Sequence, residues 1–481
     1  MRPIKGLTPL PLLLALTGCV SMVPKYRTPV APVPGVWPGG PSSGSAGPQA
    51  ARIAWRTFYV DERLREVLDL ALRNNRDLRI AALNTEKARA YYRIQRAGLL
   101  PAVSAVGQGF KERLPASVSS TGRSMVVEQD SATVGVSAWE LDFFGRVRSL
   151  KNRALEQYLA TEQARDSAQI SLLGGVANLY LALAADQEGL KLAQDTLASQ
   201  DTSSRLIQQR FELGLSSEID AQRARIGLET ARGDVARYTR AVALDVNALD
   251  LLVGAPVPAD LLPVSLGAVT ALKDLTPGLP SEVLVHRPDI LAAEHQLRAA
   301  NANIGAARAA FFPRISLTAA TGSMASDLSG LFKGGSDTWT FAPRIDLPIF
   351  DTGARRADLK VAHADRDIAL AQYEKAIQSA FREVADALAQ RGTLGDQLAA
   401  QEALARALDR TYQLATERYK AGLDGYLSVL DAQRSLIAAQ QGLITLRLAR
   451  AANLVTLYKV LGGGPAASPA PPPAGTTPPA R

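Results

Sequence analysis

The stretch Asp77-Leu78-Arg79-Ile80-Ala81-Ala82 decides the fold, because a similar stretch returns as Asp289-Ile290-Leu291-Ala292-Ala293-Glu294. Each copy continues through an alanine-rich helical segment to a proline, as Leu99-Leu100-Pro101 in the first and Phe311-Phe312-Pro313 in the second. The two copies are about 212 residues apart throughout. Solenoid repeats have periods of about 20–50 residues, so the sequence instead predicts two structurally equivalent halves.

A second pair of similar motifs occurs, one in each half. Arg210-Phe211-Glu212-Leu213-Gly214 resembles Arg418-Tyr419-Lys420-Ala421-Gly422, and each is followed by a similar Asp-Ala-Gln-Arg stretch, at Asp220–Arg223 and Asp431–Arg434. Segments 147–212 and 353–461 contain no proline, which favours long helices joined by glycine turns. Breaks in the pattern near Gly395 and at Gly422 to Gly425 predict three helical rods in the second half.

Apolar residues on these rods recur every 3.5 residues, which is typical of supercoiled helices. The repeating positions are Leu172, Val176, Leu179 and Leu183 in the first half, and Tyr373, Ile377, Ala380, Val384 and Ala387 in the second. An uninterrupted helix of about 60 residues would measure about 90 Å, so each rod needs neighbours along its whole length. One further helix is predicted from near Asp61 to about Gly98.

Four strands are predicted between the helices, at about 101–111, 131–143, 313–322 and 337–347. Apolar and polar residues alternate in them, as in Ala132, Val134 and Val136. Strands of about ten residues with one apolar and one polar face suit a membrane barrel with a wet lumen, and a half-buried soluble hairpin is the alternative. Four strands cannot close a barrel, because known single-chain barrels begin at about eight, so a membrane sheet would need at least two copies of the chain.

The N-terminus resembles a bacterial lipoprotein signal. Arg2 and Lys5 precede an apolar segment that ends in Leu16-Thr17-Gly18-Cys19, and Cys19 is the only cysteine. We therefore expect a signal peptide at 1–18 and a lipid on Cys19, with an ordinary signal peptide as the alternative. Val20 in place of the Asp that commonly retains lipoproteins at the inner membrane favours the outer membrane, by resemblance.

The remaining domain boundaries follow from composition. Residues 19–54 form an anchored tether whose 24–48 stretch is rich in Pro, Gly and Ser, and 463–481 form a disordered tail. The two repeats occupy 55–255 and 282–462, with a linker at 256–281. No consecutive run of about eighteen apolar residues follows the signal peptide, so we expect no transmembrane helix in the mature chain.

Composition and motifs argue against an enzyme or a nucleic-acid binder. The net charge is +8, but acidic and basic residues alternate along the chain, unlike the clustered charge of nucleic-acid sites. The chain has only three histidines and no P-loop, nucleophile elbow or dinucleotide fingerprint. We expect no catalytic residue, no cofactor and no metal site.

Motifs in order along both halves resemble the TolC/OprM class of outer membrane efflux proteins, in its lipid-anchored NodT-type branch. They begin with Trp55, Phe58, Asp61, Leu64, Leu68, Asn75, Asp77 and Leu78, and continue with Glu140–Arg146, Arg287–Ile290, Pro348–Asp351 and Val429–Gln433. The resemblance implies a mainly α fold with membrane β: a homotrimer whose four strands per chain form a twelve-stranded barrel, continued by a periplasmic α-helical barrel.

The same resemblance implies the function and partners. The trimer would be the outer membrane channel of a tripartite efflux system, exporting drugs or other toxic compounds with a periplasmic adaptor and an inner-membrane pump, expected to be of the RND type. Two alternatives remain at this point: a pore-free periplasmic coiled-coil lipoprotein that acts as a spacer, or an exit duct for protein secretion.

The resemblance also points to site residues at the periplasmic tip. Asp431 would form a ring of carboxylates in the symmetric assembly that attracts cations, and Asp220 is its counterpart in the first half. A solvated Asp near a helix N-terminus is the simpler alternative. Tyr419 matches a tyrosine that latches the tip in some relatives, and Asp424 stands where relatives can carry its basic partner and could add to the ring instead. Gly214 and Gly422 would form the turns that an adaptor grips.

Overall fold

The computed structural model describes residues 21–38, 53–269 and 281–463. The predicted signal peptide at 1–18, the acylation site Cys19 and all but the first residue of the predicted tail at 463–481 lie outside these ranges. The chain divides into two compact units, each built from several stretches of sequence. Unit 1 comprises Met1–Val30, Leu83–Glu162 and Ala292–Glu374, and unit 2 comprises Ala31–Ala82, Gln163–Leu291 and Lys375–Arg481.

Residues 53–253 contain five helices and two strands. They are α1 (Trp55–Phe58), α2 (Glu62–Asn74), α3 (Arg76–Ala97), β1 (Val103–Leu114), β2 (Met125–Glu140), α4 (Arg146–Glu212) and α5 (Glu218–Val253). The single helix expected from Asp61 to Gly98 is wrong, because buried Asn75 interrupts it with extended backbone. The Asn75 side chain accepts a hydrogen bond from Leu78 N and donates one to Leu252 O, both 2.7 Å long.

The second half repeats the order helix, strand, strand, helix, helix that the first half shows from α3 to α5. It contains α6 (Pro288–Ala309), β3 (Arg314–Ala325), β4 (Asp337–Asp346), α7 (Ala354–Lys420) and α8 (Tyr426–Val460), with short 3₁₀ segments at Ala259–Leu261, Leu266–Ala268, Ser281–His286 and Leu328–Gly330. The predicted break at Gly395 is wrong, since α7 runs through it for 67 residues. One glycine costs a helix only about 1 kcal/mol, which the surrounding residues outweigh.

Unit 1 holds one antiparallel sheet in the order β1-β2-β3-β4. Within the described residues β1 and β4 therefore have one strand neighbour each and form the two edges. All four predicted strands are present, but β2 begins at Met125 rather than at 131, because Met125 pairs with Leu114. A bulge between Val136 and Trp139 places Ala138 at a φ of 51°, and its amide donates to Thr318 Oγ1 at 3.0 Å.

Ion pairs fix the point where β2 leads into α4. The Glu140 carboxylate accepts from Arg146 Nη2 at 2.6 Å and lies 2.7 Å from Arg314 Nε on β3. Asp142 then accepts from the first amides of α4, including that of Arg148 at 2.8 Å, as an N-terminal cap does. The sheet and the helix are thereby held in one orientation inside unit 1.

The N-terminal segment packs on a helix where the sequence predicted only an extended tether. Asn301 Nδ2 on α6 donates to Pro24 O at 2.9 Å, and Tyr26 donates to Glu294 Oε1 at 3.1 Å. Arg298 places its guanidinium 5.0 Å from the centre of the Tyr26 ring. The part of the tether nearest Cys19 thus has specific contacts within unit 1.

The predicted seam on α7 is confirmed, because all five of its residues are buried (Tyr373, Ile377, Ala380, Val384 and Ala387). On α4, Val176 and Leu183 are fully buried. One helix in the described part of the chain, α4, is long and apolar enough over 18 residues to cross a membrane by length and composition, whereas the sequence predicted no transmembrane helix. Of that stretch, 61% is buried inside the protein.

Candidate functional site at the helical hairpin turns

Two helical hairpins in unit 2 end in nearly identical turns, one between α4 and α5 and one between α7 and α8. Gly214 and Gly422 follow their helices at φ angles of 71° and 72°. The same pair of backbone hydrogen bonds closes each turn, at 2.7 and 2.9 Å in the first and 2.9 and 3.0 Å in the second. This is the Schellman motif, whose left-handed position favours glycine. The turn geometry expected of both glycines is present.

An apolar cluster joins the two hairpins just behind the turns. Its buried members come from α4, α5 and α8: Ile207, Ala221, Ala224, Tyr426, Val429 and Leu430. Half-buried residues of α7 pack against it, namely Tyr412, Ala415 and Tyr419. Burial of these side chains gives the end of unit 2 a defined packing.

Asp424 is held by its own hairpin. Arg418 Nε and Nη2 donate to the two Asp424 carboxylate oxygens at 2.6 and 3.1 Å. These hydrogen bonds lower the pKa of Asp424, so its carboxylate stays ionised and paired. The sequence left open whether Asp424 adds to an acidic ring. Because Arg418 binds both of its carboxylate oxygens, Asp424 would add little uncompensated negative charge to such a ring.

Tyr419 connects the two hairpins through an arginine that the sequence analysis did not single out. The Arg210 guanidinium on α4 lies 5.6 Å from the centre of the Tyr419 ring on α7, within the range of a cation–π contact. Tyr419 also lies 5.4 Å from the ring of Tyr426. Burial raises the pKa of Tyr426, so this phenol stays neutral.

Asp220 is the third residue of α5 and Asp431 is the sixth residue of α8, so Asp431 lies one turn further from its glycine turn. Each has an arginine three residues later whose Nη1 atom lies 3.9 Å from the carboxylate, Arg223 and Arg434 respectively. Asp431 is the more exposed carboxylate, at 62% against 28% for Asp220. Ser217 Oγ also donates to Asp220 at 2.7 Å, so Asp431 is the freer of the two to attract cations.

One residue that differs between the two turns explains why Arg210 and Arg418 make different contacts. Arg210 and Arg418 are equivalent in the echoed motif, but Asp424 in the second turn corresponds to Ser216 in the first. Arg418 therefore has a carboxylate to bind, whereas Arg210 lacks one and contacts Tyr419 instead. The signal in the sequence that could have identified Arg210 is this replacement of Asp by Ser216, which leaves the arginine of the first copy without the acidic residue of the second.

The described residues contain no cluster of three or more His, Cys, Asp or Glu that could hold a metal ion. His295, the histidine with a close acidic neighbour, has its Nδ1 2.6 Å from Glu156 Oε2 in unit 1. The pair joins α6 to α4. It has the form of a structural contact between helices.

An edge-exposed four-stranded sheet, two pairs of long helices and two matching glycine turns define a subunit of a TolC-like channel. The family model described as outer membrane efflux protein matches residues 67–255 and 279–463. The chain belongs to this family.

Named relatives agree with this assignment. The chain is 50% identical over 453 residues to the toluene efflux pump outer membrane protein TtgC of Pseudomonas putida, covering 93% of each. It is 45% identical to the outer membrane protein OprJ of Pseudomonas aeruginosa, covering 94% of this chain and 95% of OprJ. Among solved structures, the open state of the Neisseria gonorrhoeae MtrE outer membrane channel is 38% identical with a TM-score of 0.85, covering 92% of this chain and 98% of that one. The protein is an outer membrane efflux protein.

Proposed function

We propose that three copies of this chain form one duct across the outer membrane. Each copy supplies a sheet with two edges, β1 and β4, and an unpaired edge in lipid leaves backbone groups without hydrogen bonds at several kcal/mol each. Closure with other copies removes both edges. Four strands from each of three chains give the twelve-stranded barrel that the family resemblance implies, and the two halves of each chain act as tandem structural repeats.

The long helices continue this duct into the periplasm. Each chain contributes two helices of 67 residues and two of about half that length, and buried seams every 3.5 residues favour side-by-side packing. The glycine turns at Gly214 and Gly422 then form the inner end, where a periplasmic adaptor docks. That adaptor links the duct to an inner-membrane pump of the RND type.

The exported compounds are small and apolar. Relatives that cover more than nine-tenths of this chain are named as toluene, solvent and antibiotic efflux components. We propose that this protein exports organic solvents and antibiotics in the same way. The duct performs no covalent chemistry on them.

The hairpin turns act as the gate of the duct. Closed hairpins are held by the Arg210–Tyr419 contact and by the apolar cluster behind it. In the trimer Asp431 would form a ring of three exposed carboxylates, which attracts cations in a narrow aqueous passage. Asp220 contributes less to that ring because it is less exposed than Asp431 and already accepts a hydrogen bond from Ser217 Oγ.

Cys19 anchors each copy in the outer membrane through lipid. The segment that begins two residues later packs on α6 within unit 1, and this ordered attachment supports an anchor at the N-terminal end of the mature chain. Removal of the peptide at 1–18 makes Cys19 the first residue of the mature protein.

Two measurements test this function together. Deletion of the gene should increase susceptibility to toluene and to antibiotics, and the full-length protein should restore resistance. The purified protein in a planar bilayer should show discrete conductance steps. Unchanged susceptibility together with an absence of conductance would contradict the proposal and favour the pore-free spacer.

A further inference from the structure

A groove away from the hairpin turns is built like a small-molecule site. It lies in unit 2 between α7 and α8, with the 3₁₀ segment Leu266–Ala268 and one residue of α4 along its side. Its volume is about 720 Å³. Pockets that hold small ligands typically measure about 300–1,000 Å³.

The floor of the groove is apolar. Leu181 on α4 and Leu398 on α7 are buried beneath it, and Leu394 and Leu454 complete the surface. Asn453 also contacts the groove, but its amide nitrogen already donates to Ala387 O at 2.9 Å. The floor therefore favours a hydrocarbon over a polar group.

The rim of the groove is lined mainly by arginines. Arg391, Arg447 and Arg450 line it together with a single acid, Glu402. Arg406 lies 4.0 Å from that acid, and Arg447 lies 3.6 Å from Glu188. Arg450 is exposed and forms no ion pair with any residue in the described part of the chain, so its guanidinium can receive an anion.

Gly395 gives a direct way to fill the groove. It lies inside α7 and lines the groove. A Cβ added there would meet no heavy atom within 4 Å, so a larger side chain can enter the groove without displacing a neighbour.

We propose that this groove binds a small amphiphilic anion, an alkyl chain that ends in a carboxylate or sulfonate. The alkyl chain lies on the leucines, and the anionic head accepts hydrogen bonds from Arg450. A cationic amphiphile would meet repulsion at the rim, and a fully polar anion would leave the leucine floor uncovered. The site is separate from the gate and does not depend on the channel function.

The test uses the full-length protein reconstituted in lipid nanodiscs, which avoids competition from detergent. The probe is decanoate carrying a photoreactive diazirine, and labelled residues are located by peptide mass spectrometry. Labelling should concentrate at 391–402 and 447–454. A matched diazirine decylamine of opposite charge should give little labelling there.

Three variants separate groove binding from general adsorption. Gly395→Leu fills the groove and should abolish the labelling, whereas Gly392→Leu, on the same helix but outside the groove lining, should leave it unchanged. A Cβ added at either glycine meets no heavy atom within 4 Å, and leucine is a strong helix former, so both variants should fold. Arg450→Gln should weaken decanoate binding about tenfold, as expected for one charge-assisted hydrogen bond.

Three results would overturn the proposal. Labelling spread evenly over the protein would show non-specific adsorption. Equal labelling of the groove by the decylamine probe would show that the groove does not select for a negative charge. If Gly395→Leu abolished resistance in cells but left decanoate labelling intact, the groove would be a protein-docking surface instead. Bilayer conductance of the same variants reports separately on the channel.

Discussion

Replacing Arg287 by methionine should destabilise unit 2 more than any exposed arginine replacement. Arg287 is buried where the second repeat begins, and its guanidinium makes four hydrogen bonds. It donates to Val460 O at 2.7 Å, to the two Asp289 oxygens at 3.0 and 2.7 Å, and to Glu383 Oε2 at 2.9 Å. One residue thus ties the C-terminal end of α8 to the start of α6 and to α7.

The cost can be estimated from the exposure of each partner. Breaking a fully buried ion pair costs about 3–5 kcal/mol, but Asp289 and Glu383 are 39% and 43% exposed and regain water. The helix-terminal carbonyl of Val460 loses its partner at about 1–3 kcal/mol. We therefore expect Arg287→Met to lower the free energy of unfolding by roughly 2–4 kcal/mol, somewhat less than the cost of breaking a fully buried ion pair.

The assay is thermal loss of helical circular dichroism at 222 nm. A large domain loses about 2 °C of unfolding midpoint per kcal/mol, so Arg287→Met should lower the midpoint by about 4–8 °C. Arg287→Lys retains the charge but makes fewer hydrogen bonds, so its unfolding midpoint should lie between those of the wild type and Arg287→Met. The control is Arg232→Met, since Arg232 and its partner Glu229 are both more than half exposed, and its effect should stay within about 0.5 kcal/mol. Equal midpoints for Arg287→Met and Arg232→Met would refute the reasoning.

Three further predictions concern charge and anchoring. Asp431→Ala should reduce block of the channel by multivalent cations and change its cation conductance, whereas unchanged single-channel records in a planar bilayer would remove Asp431 from the gate. Burial and the neighbouring Asp186 raise the pKa of Asp245 to about 6; a raised carboxyl pKa stabilises the fold at low pH, and this stability is lost as the pH rises through about 6. Asp245→Asn should therefore raise the unfolding midpoint at pH 7.5 and leave it nearly unchanged at pH 3, below the ordinary carboxyl pKa of about 4, and equal shifts at both values would refute this. Cys19→Ser should lack the mass of the attached acyl chains, and an identical post-translational mass would contradict lipidation.

The sequence predicted the elements well where periodicity alone defines them. The α7 seam from Tyr373 to Ala387 is buried throughout, because a 3.5-residue repeat fixes one face of a helix whatever packs there. The start of β2 was predicted six residues late. Met125 belongs to the strand because Leu114 pairs with it, and pairing depends on a partner that a single strand's alternation does not include.

The site was harder to predict because its contacts cross turns and helices. Arg418 and Asp424 are six residues apart, a spacing that does not meet on a helix. They meet because Gly422 adopts a left-handed conformation and reverses the chain between them. Arg210 reaches Tyr419 from another helix, and no local pattern encodes that approach.

The most direct test of the central claim is native mass spectrometry of the full-length protein released from nanodiscs. If each chain supplies an open four-stranded sheet that other copies close, the released complex should have three times the mass of the mature lipidated chain. A stable single-chain species under conditions that preserve channel conductance would contradict the account.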